Sequence, residues 1–403
     1  MSVVVFLRQN ARWLGAGALL SFLSSFGQTF FIAVFAGEIR ADFALTHGQW
    51  GGIYALGTAL AALAMLWAGG LADVFRVRQL GSAVLIGLAL ACLGMALNPV
   101  SWALLGVVFA LRFFGQSMSG HIAMVAMARW FDATRGRALA ITAMGFAVGE
   151  AVLPVTFVSL KAHVDWHFLW LGASGFVLLM IPVLMVLLRK ERTPQSHAEA
   201  TVSRGMGGRQ WTRAQALRHP LFWTLVPAIL GPSACITAFF FHQVHLTEVK
   251  GWAHIDLVRL FPVYTGVAVG SAVVAGWGLD RFGAVRLMPA MLLPLGAAFV
   301  VFSFAGSAAQ MLPGFVLMAM TSGCMATLPN AFWAEAYGTA HIGAIKAVAA
   351  ATMVLGSAIG PALTGALIDL RIGIETQFLA FAVYFAAATV IMAFGIGRAR
   401  QDL

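Results

Sequence analysis

Charge is scarce in this sequence. Asp, Glu, Lys and Arg make up 10% of its 403 residues, against about 25% in a soluble domain. So few charges cannot cover a water-soluble protein of this length, which leaves the lipid bilayer as the solvent. Acids are scarcer than bases, 15 against 25, for a net charge of +10. The basic residues are separated by long apolar runs rather than gathered on one compact domain, so no nucleic-acid partner is expected. Cysteine is nearly missing: Cys92, Cys235 and Cys324 all lie in apolar runs without CxxC spacing, which argues against a disulfide framework or zinc site. No metal or cofactor is expected. The sequence also lacks a nucleotide-binding P-loop, an HExxH pair and a nucleophile elbow. ATP drive is therefore excluded within this chain, and a membrane-embedded enzyme or sensor is set aside.

What the chain has in abundance is apolar sequence, 61% of all residues. A membrane-crossing helix needs about 20 such residues. Twelve spans are expected near 13–36, 49–71, 80–98, 101–127, 138–160, 166–188, 221–245, 260–279, 287–306, 310–332, 345–368 and 375–397. Each should be helical, because backbone groups in lipid must pair within the segment, and the alternating pattern of a β-barrel is absent. The apolar run behind Arg8 and Arg12 is too long for a cleavable leader. The one long polar stretch, from Arg189 to Pro220, reads as a flexible linker rich in Gly and Arg, with 211–217 as a short interfacial helix. The expected organisation is a six-helix bundle over 1–188, a linker over 189–220 and a second bundle over 221–403. With both termini on one side, nineteen of the 25 Lys and Arg fall on that side. The positive-inside rule places that side in the cytoplasm.

The two halves repeat. Gly69-Gly70-Leu71-Ala72-Asp73, followed by Arg76 and Arg78, returns 207 residues later as Gly276-Trp277-Gly278-Leu279-Asp280-Arg281-Phe282-Gly283, followed by Arg286. Gly145 and Gly149 return 211 residues later as Gly356 and Gly360, the latter followed by Pro361. In so apolar a chain, two features repeating at nearly the same offset point to a duplicated, membrane-embedded carrier.

Six plus six helices, a central linker and this loop motif resemble the major facilitator superfamily, whose loop signature reads roughly G-x-L-x-D-R-x-G-R-R. Gly69, Leu71, Asp73 and Arg78 match it in the first half; Val74 and Arg76 depart. Gly276, Asp280, Arg281 and Gly283 match in the second, with Gly278 in place of the Leu. The stretch Leu111-Arg112-Phe113-Phe114-Gly115-Gln116 is similar to the family's Arg-containing fourth-span signature. The fifth span of drug antiporters ends in G-x-x-x-G-P, but here Glu150 follows Gly149, which weakens that reading. Arg129-Trp130-Phe131 with Arg135-Gly136-Arg137 resembles the loop of monocarboxylate and oxalate/formate carriers. The resemblance implies an all-α fold of two pseudo-symmetric bundles. It also implies a secondary transporter of the bacterial inner membrane with alternating access, and in related carriers a monomer. It further implies that Asp73 holds a gate closed, with Arg129 or Arg135 as partner, and that Asp280 and Arg281 act likewise in the second half. Gly145, Gly149, Gly356, Gly360 and Pro361 are expected at helix contacts.

Buried charges mark function or pair with each other. Arg112 and Glu150 both lie about 18–23 Å from one membrane edge at 1.5 Å per residue, on adjacent antiparallel spans. Three readings stand: a permanent ion pair pinning the fourth span to the fifth, a Glu150 that takes up a proton and frees Arg112 for an anion, or two residues that never meet. Arg112, Gln116 and Ser119 at i, i+4, i+7, and Ser21, Ser24, Ser25 and Gln28 on the first span, suggest faces toward a cavity, the serines more as packing residues. His242 and His245, i and i+3 at the end of the seventh span, are candidates for handling substrate or protons. Asn330, behind Pro329, could offer hydrogen bonds to a ligand; Glu335 reads as a loop charge and His121 as a packing residue. Tyr54 and Tyr264 could face the path, and most aromatics are expected in lipid-facing or interfacial belts. The expected substrate is a small organic anion held by Arg112, with Gln28, Gln116, His242 and Asn330, and the expected driving ion is the proton, carried by Glu150 with His245. The alternative is an efflux pump for apolar or cationic compounds, anchored by Glu150 with Arg112 locked away.

Overall fold

The computed structural model describes residues 3–131, 134–190 and 204–399. The middle of the expected linker, 191–203 with Arg192, and Arg400 lie outside them. So do the side chains of Asp73 and Arg135, and with them the expected Asp73 pairings. Among the described residues the secondary structure is helical throughout. Among the described residues eleven helices are long and apolar enough to cross a membrane, twelve when the bent pair Val5–Gly27 and Thr29–Asp42 is counted as one span. The protein is thus a multi-pass, all-α membrane protein. It divides into two compact units, 1–45 with 52–200, and 201–403 together with Thr46–Gly51 at the start of the second span.

The first unit departs from expectation in its first span, which is neither straight nor confined to 13–36. The helix Val3–Leu23 tightens into a turn over Ser24–Gly27, Gln28 is extended (φ −86°, ψ 154°), and helical backbone resumes at Thr29. The two parts diverge by 47° and the second runs on to Asp42. The break falls in the polar run Ser24-Ser25-Phe26-Gly27-Gln28-Thr29, which also suits a cavity-facing stripe on one straight helix. The fifth span, Gly136–Lys161, lies directly against the first. A Cβ at Gly145 would collide with the Ala18 carbonyl, and one at Gly149 with the Ser25 side chain; absent side chains are what let the two backbones meet. At the far end Lys161 bonds the Val34 carbonyl (2.7 Å) and Glu38 (2.8 Å), which closes the continuation of the first span onto the fifth. Phe26, Phe35, Phe157 and Trp170 each meet Phe31 edge to face beside this clamp, a geometry that adds to simple burial.

The second unit repeats the scheme. Pro220–Phe241 packs against Ala344–Asp369 where a Cβ at Gly360 would strike the Ala234 carbonyl and one at Gly356 would lie 2.5 Å from the Leu230 carbonyl. Its aromatic core joins Phe239, Phe302, Phe315 and Phe378. These buried clusters correct the expectation that aromatics serve mainly as lipid-facing belts: Phe31, Trp170, Phe302 and Phe315 are all fully buried. In both units rings fill the space where small residues have not already closed the seam.

Candidate functional site

Two irregular helices meet in the first unit, and a cation sits where they touch. The fourth span, Ser101–Trp130, is widened over Leu111–Ser119 into a π-helical stretch, a feature frequent at functional sites. Ser119 donates to the carbonyl of Phe114, five residues back, at 2.8 Å. The widening accommodates the broken first span: Gly27 and Gly115 lie face to face, and a Cβ on Gly115 would stand 2.6 Å from Gly27 Cα. Both positions therefore require glycine.

Arg112 rises from this crossing, 1% exposed. Its Nη1 donates to the Gly27 carbonyl at 3.1 Å and reaches Thr29 Oγ1 at 3.5 Å, while Nε donates to Thr58 Oγ1 at 3.1 Å. The guanidinium carbon lies 5.0 Å from the centre of the Tyr54 ring, within cation–π range. Tyr54 is itself buried and bonded to Thr29. Extended backbone at Gln28 interrupts the helical ladder and leaves the Gly27 carbonyl for Arg112. Irregular backbone at membrane depth is tolerated where protein re-satisfies it. The remaining nitrogen, Nη2, is buried without a hydrogen-bond partner among the described residues.

Among the described residues every partner of Arg112 is neutral, and Glu150 is not one of them. The expected ion pair is not formed. The π-helical turn directs Arg112 toward the first and second spans, whereas Glu150, half-buried, follows Gly149 on the fifth span, whose contact is Ser25. The regular polar stripe expected on the fourth span is likewise broken. Arg112 and Ser119 are buried, and Gln116 remains partly exposed, as does Gln28 on the first span. Ser21, Ser24 and Ser25 are buried, with Ser24 bonded to the Ser21 carbonyl.

The second unit carries the counterpart without the charge. Tyr264 and Ser322 stand 210 residues after Tyr54 and Arg112, and their hydroxyls bond at 2.9 Å. Gly323 beside them presses on the Ala268 carbonyl, where a Cβ would not fit. The duplicated scaffold thus holds a tyrosine in both halves and a cation in one. This 210-residue offset was open to reading in the sequence. Gly27, Thr29 and Thr58 carried no such signal.

The remaining candidates are dispersed. His242 is buried and its Nε2 lies 3.0 Å from the Pro361 carbonyl. His245 is partly exposed, its ring centre 4.2 Å from that of His47, which belongs to the same unit. Asn330 is exposed and donates to the Ala326 carbonyl at 3.0 Å, within its own helix.

In the loop motifs Arg129 donates to the Ala72 carbonyl at 3.1 Å, and His121, read as a packing residue, bonds the Gly69 carbonyl at 3.1 Å. Gly283 ends its helix with φ +75°, a conformation suited to glycine, and Arg281 lies over the rings of Trp277 and Phe282. Asp280 is exposed. Glu335, expected to be a mere loop charge, accepts from the Ala284 amide at 3.0 Å and anchors the second motif. Gly276 has open space around it, so its place in the motif does not rest on a close helix approach. Outside the spans, Asp165 caps the sixth helix by accepting from His167 N at 2.9 Å. That backbone bond, followed by the bond to the His167 ring, lowers its pKa below the ordinary aspartate value.

Comparison with known proteins agrees with this architecture. The family model described as Major Facilitator Superfamily matches residues 17–293 and 263–402. The Escherichia coli (strain K12) protein named "Uncharacterized MFS-type transporter YhjX" is 23% identical over 297 residues, 70% of this chain and 69% of that one. A Thermoproteus tenax protein named "Uncharacterized 38 kDa protein in 23S RNA operon" is 26% identical over 340 residues, 83% of this chain and 81% of its own. Among solved structures, a bacterial homolog of the human lysosomal transporter Spinster superposes with TM-score 0.72 at 16% identity, covering 98% of both chains. A mutant of the nucleoside transporter NupG superposes with TM-score 0.71 at 12% identity, covering 96% of this chain and 99% of that one. At such identities the two structures establish the shared fold.

Proposed function

The chain belongs to the Major Facilitator Superfamily, and we propose that, within that family of secondary transporters, it is a proton-coupled carrier of a small, monocarboxylate-like organic anion. The observation that carries this reading is the buried, uncompensated guanidinium of Arg112. A buried charge costs several kcal/mol unless it is paired, and here its partners among the described residues are hydroxyls, a carbonyl and a ring. The unpartnered Nη2 supplies a donor for a carboxylate, which guanidinium recognises through parallel hydrogen bonds. Gly27, Thr29, Thr58 and Tyr54 hold the group in place, so little side-chain freedom is lost on binding. Gln28 and Gln116, partly exposed on the first and fourth spans, contribute neutral hydrogen bonds.

Glu150 is the proton carrier in this reading, with His245 assisting. A carboxyl that gains a proton as the anion binds keeps the loaded carrier's charge balance constant. The loop motifs, Gly69, Asp73, Arg78, Arg129 and Arg135 in one half and Gly276, Asp280, Arg281 and Gly283 in the other, gate alternating access. The arginine-rich ends of the spans support a bacterial inner-membrane carrier with both termini in the cytoplasm, working as a monomer. Efflux of apolar or cationic compounds is less well supported, because it fits a permanent Arg112–Glu150 pair and none forms among the described residues.

The test is uptake of labelled monocarboxylates into proteoliposomes. An inward proton gradient should stimulate uptake, and Arg112→Ala should abolish it in a folded protein. Unchanged uptake by that variant overturns the reading.

A further inference from the structure

The end of the linker forms a second basic site, far in sequence from Arg112. The segment before the seventh span is fastened to the end of the tenth. Trp211 N donates to the Tyr337 carbonyl at 3.1 Å, the Trp211 ring donates to the Met206 carbonyl, and Gln210 Oε1 accepts from Ala340 N. Gly205 lies so close to Gly338 that a Cβ would stand 2.5 Å from its nitrogen. A capping box between Thr212 and Gln215 then starts the short helix Arg213–Arg218. His219 Nδ1 accepts from Leu221 N at 3.3 Å, capping the seventh span and leaving Nε2 as the ring's donor.

This corner borders an open cavity of about 300 Å³ lined by Arg209, Gln210, Trp211, Gln215, Arg218 and His219. His219 also lines a neighbouring cavity of about 200 Å³, where Arg398 sits above Leu221, Thr224 and Phe394. No carboxylate lines either one, and Arg209 and Arg218 make no side-chain hydrogen bond or ion pair among the described residues. Below them the surface turns apolar and exposed: Trp223 is 59% and Phe394 67% exposed. The Trp223 indole N–H is tied to the Leu217 carbonyl at 2.8 Å, the posture of a tryptophan at a membrane boundary. Cations at the span ends, with exposed Trp223 and Phe394 about one helical turn further into the seventh and twelfth spans, match the two ends of one molecule.

We propose that this corner binds the phosphodiester headgroup of an anionic phospholipid, with the phosphate between Arg209 and Arg218 and an acyl chain along Phe394 and Trp223. Basic pockets beside membrane helices are suited to such headgroups. The site is independent of the anion site at Arg112.

The test is binding of phosphatidylglycerol to the purified full chain in detergent, read by native mass spectrometry beside phosphatidylcholine and inorganic phosphate. Phosphatidylglycerol should bind in preference to phosphatidylcholine. Each basic residue near an anionic headgroup is worth about 1 kcal/mol, or roughly fivefold. The double variant Arg209→Gln/Arg218→Gln should therefore bind phosphatidylglycerol about 30-fold more weakly, while Arg8→Gln/Arg12→Gln, with the same loss of charge, leaves it unchanged. In the unaltered protein, phosphatidylglycerol should slow amide exchange across 205–219. The proposal is overturned if phosphatidylcholine binds equally, if the double variant keeps its affinity, or if exchange in 205–219 does not respond. It is overturned as well if inorganic phosphate alone displaces the lipid, which would make this a site for a soluble phosphate.

Discussion

Arg112 and Gly27 complete each other: the extended Gln28 frees the carbonyl of Gly27, and the π-helical turn of the fourth span brings the Arg112 guanidinium to it at 3.1 Å. The two irregularities fit only together. Without the break the carbonyl would be spent in the helical ladder, and without the wide turn the cation would face elsewhere.

Gly115→Ala should therefore be costly. Its Cβ would meet Gly27 Cα at 2.6 Å, backbone that cannot move aside, and overpacking of this kind costs about 1–3 kcal/mol. Thermal unfolding in detergent should show a clear drop in Tm. Gly52→Ala, with open space around it, should stay within about 0.5 kcal/mol of the parent. Equal behaviour of the two variants would contradict the close crossing.

How much of this was legible beforehand can be judged residue by residue. The 207- and 211-residue repeats showed a duplicated fold, and hydropathy located the spans. Gly145 and Gly149 stood out as a small-residue pair, and the structure places them against Ala18 and Ser25. The break at Gln28 went unread because no proline marks it and Ser21, Ser24, Ser25 and Gln28 suit a polar stripe on one straight helix. The π-helical stretch was hidden for a related reason. Arg112, Gln116 and Ser119 fit a regular helical stripe so well that nothing hinted at a widened turn. Arg112 itself was evident as a lone cation in a span, but its partners come from positions 27, 29, 54 and 58, which only folding brings together.

Glu335 gives a prediction about the second loop motif. Its carboxylate accepts from the Ala284 amide much as a capping side chain would, an interaction worth about 1 kcal/mol. Glu335→Ala should lower Tm and slow transport, and Glu335→Gln, which keeps an acceptor oxygen, should restore most of both. Failure of Gln to rescue would show that the charge, not the hydrogen bond, matters.

Asp165 links stability to pH. Hydrogen bonds to its ionised form, first from the His167 amide and then from the His167 ring, depress its pKa in the folded state. A depressed carboxylate stabilises the fold above its unfolded pKa, about 3.9, and that contribution is lost as pH falls through the lower folded value. Asp165→Ala should thus lower Tm at neutral pH, and the difference from the parent should close on acidification below the ordinary aspartate range. A gap that persists at low pH would point to lost packing instead.

Glu150→Gln tests coupling separately from binding. In proteoliposomes the variant should lose stimulation by a pH gradient yet keep exchange of unlabelled for labelled anion. Normal pH-driven uptake would remove Glu150 as the proton carrier.

The most direct measurement is a ligand panel read by thermal shift on the purified protein, with small carboxylates, sugars, amino acids and lipophilic cations, run beside Arg112→Gln. A ligand at 100 times its Kd adds about 2.7 kcal/mol to the folded state, a readily seen rise in Tm. A small carboxylate should stabilise the parent and leave Arg112→Gln unmoved. Stabilisation by lipophilic cations alone, or an equal carboxylate shift in the variant, would contradict Arg112 as the anion site.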